Sequence, residues 1–170
     1  MRYTCIRAEY THLPGIHAVM RCVEAGMDDP SLFVPDDLDF LTRHIADEGV
    51  TVIALHGGAV CAFLVVDFPG ESEKNLGNDL GWSPDACRAS VHMDSVCVLP
   101  EHRGHGLQKM LLQKGEELAA GLGYTSFLAT VHPDNAASLK SFLALGYSIG
   151  TTKEKYGGLM RHVLWKAVDR

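Results

Sequence analysis

Apolar positions recur along this chain in two rhythms. Over residues 11–26 they return every three or four places, with Ile16, Val19, Met20 and Val23 on one side and Gly26 after them, which is the pattern of an amphipathic helix and its stop. Residues 36–49 repeat that spacing: Leu38, Leu41 and Ile45 form one face, aspartates cluster at the start, and Gly49 ends the run. Acidic residues suit the positive N-terminal end of a helix. The second rhythm is shorter. Residues 1–9 alternate enough to make a first strand. VTVIALHGGAVCAFLVVDF reads as two antiparallel strands joined at His56, Gly57 and Gly58, since neighbouring glycines allow the positive φ of a tight hairpin turn.

Residues 69–88 follow neither rhythm. Rich in Gly, Pro, Asn and Asp, they read as a long loop or a partly disordered stretch, and long loops in compact domains tend to be functional. The pattern then resumes. ASVHMDSVCV makes a strand, GLQKMLLQKGEELAAGLG a helix with Leu107, Met110, Leu111 and Leu118 inward, and TSFLATV another strand. Asn135 can cap a short helix whose Leu139, Phe142 and Leu143 face the core, with Gly146 past its end. YSIGTT and LMRHVLWKAV supply two last strands. No internal repeat, low-complexity segment or linker divides the chain, so one domain over residues 1–170 is expected.

Composition narrows the function classes. The net charge is -6, which argues against nucleic acid as a partner, because such binders show a basic stripe. The longest apolar run, residues 59–66, is far short of a membrane span, and the first residues lack the apolar core of an export signal. No membrane partner and a cytoplasmic location are expected. Five cysteines, at 5, 22, 61, 87 and 97, form no CxxC pair and read as reduced thiols without structural metal. His102 and His105 have no HExxH motif or third ligand beside them, so no metal is expected.

The chemistry concentrates in VLPEHRGHGLQ. A strand running into RGHG and then a helix presents free backbone N–H groups at the positive end of a helix dipole, a ready anion site, and two glycines let a ligand approach the backbone. The P-loop GxxxxGK pattern is absent, and the dinucleotide pattern GxGxxG fails because Lys109 stands at its third glycine. Arg103, Gly104, His105, Gly106, Leu107 and Gln108 instead resemble the acetyl-CoA loop of the Gcn5-related N-acetyltransferase (GNAT) family: Arg or Gln, two residues, Gly, one residue, Gly or Ala. HPDNAASLKSFLALGY resembles the family's Asn-containing fourth helix, which ends in Gly followed by Tyr or Phe. Together the motifs cover residues 90–150, and the upstream element order resembles the family too.

The resemblance implies an α/β (α+β) fold: a mixed, mostly antiparallel six- to seven-stranded sheet, flanked by about four helices, whose two central parallel strands splay apart. Those strands would be residues 91–98 and 125–131. It implies acetyl-CoA as co-substrate, with backbone groups of Val96, Cys97 and Val98 pairing with the pantetheine amides and the amides of residues 103–108 holding the pyrophosphate. Asn135 and Ser138 would contact the cofactor from the other side, Asn135 being equally well explained as a helix cap. Homodimers occur in the family, but no residue pattern here marks one.

Two positions depart from the family pattern. Gln108 stands where Gly or Ala is usual, so its side chain must point away from the pyrophosphate or help to bind it. Phe142 stands where a tyrosine commonly protonates the departing thiolate, leaving Tyr156 or water as the substitute acid and packing as Tyr156's plainer role. An acceptor amine must be neutral to attack, and deprotonating one of pKa near 10.4 at pH 7 costs about 4 to 5 kcal/mol. Asp94 is the first candidate base and His92 the second. Period 2 puts Ser90, His92 and Asp94 on one face of their strand, and Met93, Ser95 and Cys97 on the other, unless a bulge switches the faces. Acceptor specificity would come from residues 26–39 and 69–88, where Asp28, Asp29, Asp36, Asp37, Asp39, Glu71, Glu73, Asp79 and Asp85 suit a cationic amine and Trp82 would act as wall or lid. The expected activity is N-acetyltransfer from acetyl-CoA to a primary amine of a small molecule, direct and in a ternary complex. A non-catalytic acyl-CoA-binding or regulatory module, and an acyltransferase for another acyl-CoA, remain alternatives.

Overall fold

In the computed structural model, which describes residues 1–168, the alternating runs pair into one seven-stranded sheet of order β1-β2-β3-β4-β5-β7-β6. The strands are β1 (Thr4–Arg7), β2 (Gly49–His56), β3 (Ala59–Asp67), β4 (Ser90–Val98), β5 (Ser126–Val131), β6 (Ser148–Lys155) and β7 (Leu159–Ala167). Every neighbouring pair is antiparallel except β4 and β5. That one parallel pair is short: Ser90, Val91 and His92 face Ser126, Phe127 and Leu128, and no pairing continues beyond them. The sheet is therefore open between the later halves of β4 and β5.

Helices cover both faces. On one, α1 (Leu13–Ala25) and α2 (Leu38–Ala46) bury Ile16, Val19, Met20, Val23, Leu41 and Ile45 against Ile53, Phe63, Val65 and Cys97. On the other, Leu107, Leu111 and Leu112 of α4 (Leu107–Gly121) and Phe142 of α5 (Ala136–Ala144) meet Val52, Leu64, Val66 and Met93. Burying each such side chain is worth about 1.5 to 3 kcal/mol. Period 3.6 thus identified the inward residues of α1 in full. It misplaced Leu38 and Leu143, which are 47% and 44% exposed: α2 and α5 each lie against the sheet along a narrower stripe than the spacing allows.

Residues 69–88 are ordered, unlike the expected loose loop. A short fifth helix, α3 (Pro84–Arg88), lies here, so the sheet carries five helices where about four were expected. Asn75, 1% exposed, organises the segment by donating from Nδ2 to the carbonyls of Gly70 (2.8 Å) and Cys87 (3.0 Å). Leu76, Leu80 and Trp82 then pack on Leu128 and Val163, while Asp79 pairs with Lys153 and Lys155 of β6. The segment serves as the missing cover over β5 and β7. No helix among the described residues is long and apolar enough to cross a membrane.

Candidate active site

The turn from β4 into α4 behaves as its glycines require. Gly104 and Gly106 have φ of 82° and 74°, a region costly for residues with a Cβ. A Cβ at either would meet nothing within 4 Å, so both face open space. Gly106 is the N-cap of α4, and no side chain caps it. The first-turn amides of a 15-residue helix are thus left for a ligand at the positive end of its dipole. They border a cleft of about 570 Å³, lined by Val96, Cys97 and Val98 from β4, by Arg103, Gly104, Gly106, Leu107 and Gln108, and by Asn135 and Ser138 from the start of α5. Its volume suits a sizeable ligand.

Of the residues expected at this cleft, only His105 is not on its wall; its ring lies 5.8 Å from that of Tyr3. Gln108 points across the opening, its Nε2 donating to Ser138 Oγ at 3.0 Å. Asn135 caps α5 by accepting from the Ser138 amide at 3.3 Å, and also borders the cleft. Cap and wall are one residue.

A second, smaller pocket of about 150 Å³ adjoins the first, sharing Leu32, Phe33, Val96, Asn135 and Ser138 with it. Asp36, Asp94, Thr130, Tyr156 and Arg161 also line it. A bulge aims Asp94. Val65 of β3 pairs with Ser95 but Val66 pairs with Met93, so Asp94 is the extra, unpaired residue. The bulge also inverts the strand: Met93 packs under α4, whereas Cys97 packs under α1. Uninterrupted alternation would have put both on one face, so the switch left open by the sequence does occur.

Asp94 is exposed to solvent at the pocket, with protein crowded around the rest of its carboxyl. Burial, then the charges of Asp36 and Asp67, push its pKa up to about 7, against smaller opposing effects of His44 and Ser95. Contact with solvent tempers this shift. Ser95 Oγ donates to Asp36 Oδ2 and stands 3.3 Å from Asp94 Oδ2. One hydroxyl carries one hydrogen, so with Asp36 as its acceptor the Asp94 contact is favourable when Asp94 is protonated and donates. Burial pushes Asp36 up as well. The two carboxyls flank one hydroxyl and oppose each other's ionisation.

His92 is placed elsewhere. It is 6% exposed, under residues 69–88, where its Nε2 accepts from the Leu76 amide at 3.0 Å and its Nδ1 lies 3.5 Å from Asp67 Oδ2. Burial lowers its pKa to about 4, more than Asp67 raises it. His44, missed in the sequence, completes this network. Its Nδ1 is 2.7 Å from the Phe40 carbonyl and its Nε2 2.6 Å from Asp67 Oδ1. Both neighbours are acceptors, so the ring carries both hydrogens. Burial alone would lower its pKa, but the Asp67 and Phe40 hydrogen bonds prevail and raise it.

Tyr156 is the sole non-glycine residue at positive φ (49°) among the described residues. Its hydroxyl is 2.9 Å from Thr130 Oγ1, and its ring lies 5.8 Å from the Arg161 guanidinium carbon. It is half exposed at the pocket rather than packed in the core. Burial of its hydroxyl raises its pKa, which keeps the proton in place. Phe142 is buried edge-on to Tyr147 and reaches the same pocket. Cys97 is buried, and burial followed by the charge of Asp36 raises its thiol pKa far from the thiolate range, so it is a packing residue.

The acidic residues expected to attract an amine mostly have local duties. Asp29 caps the turn at residues 30–32 and Asp37 caps α2, Asp39 pairs with Arg43, and Glu71 and Asp85 pair with Arg88. Neither Asp28 nor Asp29 lines the pocket; Asp36 does. Trp82 is not its lid, since its ring packs against Trp165 at 6.0 Å. Among the described residues no group of three or more His, Cys, Asp or Glu could hold a metal ion.

The same architecture occurs in solved proteins. A ribosomal-protein-S18-alanine N-acetyltransferase from Escherichia coli superposes with a TM-score of 0.74 at 15% identity, covering 99% of this chain and 96% of that one. yncA from Salmonella typhimurium, bound to its cofactor acetyl-CoA, gives 0.72 at 21% identity over 98% and 94%. A phosphinothricin acetyltransferase from Sinorhizobium meliloti in complex with acetyl-CoA gives 0.72 at 19% over 99% and 89%. At such identities the likeness is one of fold. No curated protein matches the chain significantly in sequence. The GNAT acetyltransferase family model matches residues 19–147, which include the second half of α1, the bulged β4, the RGHG turn and α5, and the chain belongs to that family.

Proposed function

We propose that this protein is an acyltransferase that moves the acetyl group of acetyl-CoA to the primary amine of a small molecule, directly and in a ternary complex. The observation that carries this reading is the opening between β4 and β5, with the uncapped RGHG turn at one end and bulged Asp94 at the other. The residues present fit the cofactor. Backbone groups of Val96, Cys97 and Val98 would hold the pantetheine arm, amides of residues 103–108 the pyrophosphate, and Asn135 and Ser138 the opposite side. Bound there, acetyl-CoA supplies an acetyl group activated as a thioester, whose C–S bond is replaced by an amide.

Asp94 takes the proton of the incoming ammonium. With a pKa near 7 it is partly ionised at neutral pH, as a general base requires. Ser95 and Asp36 offer that proton a second carboxylate beyond it. His92, enclosed and neutral, orders residues 69–88 instead. Tyr156 holds a proton beside the pocket and can protonate the leaving thiolate. No cysteine intermediate is needed. We place the protein in the cytoplasm, where its five unpaired cysteines would stay reduced.

Phe142, which has no proton to give, favours as a second reading a module that binds acyl-CoA without turnover. Thermal unfolding with acetyl-CoA, against ATP and NAD as controls, tests binding first. At about 100 times its Kd, a ligand adds roughly 2.7 kcal/mol, which raises the midpoint by about 5 to 11 °C. Gly106→Glu should abolish the shift. An amine panel then decides between the readings: amide formation supports transfer, and a shift with no product supports the module. No shift with any acyl-CoA refutes both.

A further inference from the structure

Arg161 is 3% exposed, yet no carboxylate stands within 4 Å of it among the described residues; every other arginine or lysine in an ion pair is more exposed than this one. Its partners are neutral: Nη1 donates to the Met160 carbonyl at 2.8 Å and Nη2 to the Ser31 carbonyl at 2.7 Å. A guanidinium has five N–H donors, so these two bonds leave three without a partner, and the side chain lines the acceptor pocket. A buried cation without a counter-charge is costly unless something supplies one. The ring of Tyr156 covers it, in a backbone conformation unfavourable for a non-glycine residue. Desolvation lowers the pKa of Arg161, and no carboxylate offsets it. Asp36 and Asp94 line the same pocket, so acidic and basic side chains face one small space.

We infer, on the basis of the acetyltransfer reading above, that the acceptor is a zwitterion: an amino-acid-like molecule whose amine faces Asp94 and whose carboxylate, or an equivalent oxyanion, is held by Arg161. The guanidinium fork matches a carboxylate with two parallel hydrogen bonds. The small size of the pocket, about 150 Å³, suits a compact molecule in which amine and anion are separated by a few bonds. The contact with Ser31 links the anion to residues 30–32, the turn that borders both pockets, so the same arginine can tie acceptor binding to that wall.

Matched acceptors test this on the unaltered protein. A set of free amino acids is compared, by kcat/KM, with the same compounds as methyl esters and as decarboxylated amines. The esters have the more easily deprotonated amine and would be the better acceptors if charge were not recognised. A preference for the free acids of about tenfold or more, the size of a charge-assisted pair, is expected. In Arg161→Gln the preference should fall to about twofold or less, mainly through KM, while the thermal shift with acetyl-CoA persists. Equal or better use of esters and amines by the wild type overturns the zwitterion and leaves acetyltransfer standing. Acetyl-CoA binding with no acceptor acetylated overturns both. Should Arg161→Gln fail to fold, the wild-type comparison alone decides.

Discussion

One buried histidine should make the stability of this protein sensitive to acid. His92 has its Nε2 committed as acceptor to the Leu76 amide, so protonating that nitrogen would set N–H against N–H inside a 6% exposed site. Its pKa falls from 6.5 to about 4. A depressed pKa in a base means that the folded state binds the proton less readily than the unfolded chain. Stability is therefore whole above pH 6.5, falls as pH drops from 6.5 towards 4, and levels off below. The size of that loss follows from the pKa difference and is about 3 kcal/mol. With a urea m-value of about 2 kcal/mol/M, the midpoint at pH 4 should lie about 1.5 M below that at pH 7 from this cause. Asp94 works in the opposite sense: its raised pKa favours the folded state as pH falls through about 7. Other carboxylates contribute their own slopes, so the informative quantity is a difference. Urea unfolding of wild type and His92→Gln is measured at half-unit steps from pH 7.5 to 4; the glutamine oxygen can still accept from Leu76. The variant should be much less sensitive to acid across that window, whatever its stability at pH 7. Two curves that stay parallel to within about 0.5 kcal/mol would refute the buried neutral histidine.

Other consequences are accessible to the same methods. Asp94→Asn should lower kcat/KM for any accepted amine by about 10² to 10⁴, and the wild-type rate should rise with pH through about 7; a flat profile would remove Asp94 as base. Gly115→Ala puts a Cβ 2.6 Å from Leu64 Cδ2 and 3.2 Å from Val66 Cγ2. Overpacking of about 1 to 3 kcal/mol should exceed the helix gain of under about 1 kcal/mol, lowering Tm by about 2 to 6 °C; a higher Tm would contradict it. Leu41→Ala should cost about 2 to 5 kcal/mol and Leu38→Ser less than about 0.5 kcal/mol, a contrast that denaturant titration resolves directly.

Local rules made much of this fold legible in the sequence. The four buried residues of α1, the Gly57–Gly58 hairpin and the Asn135 cap depend on spacing and backbone freedom within a few residues, and those appear in the letters. The RGHG turn belongs with them, because a helix end and two open glycines are local objects. What tertiary structure decided is of another kind. Asp94 is aimed by a bulge, and a bulge exists in the register between β3 and β4, not in either strand alone. Residues 69–88 looked featureless because Leu76, Leu80 and Trp82 are ordered by Leu128 and Val163, apolar partners on strands further along the chain. His92 and Asp94, two residues apart on one strand, received opposite pKa shifts from one leading cause, burial, which disfavours the charged form of a base and of an acid alike. Arg161 reads as an ordinary strand residue until β7 carries it to the pocket that Asp36 and Asp94 enter from other elements. Alternation states which side of a strand a residue occupies; only packing states which distant charges it will meet there, and those charges decide its chemistry.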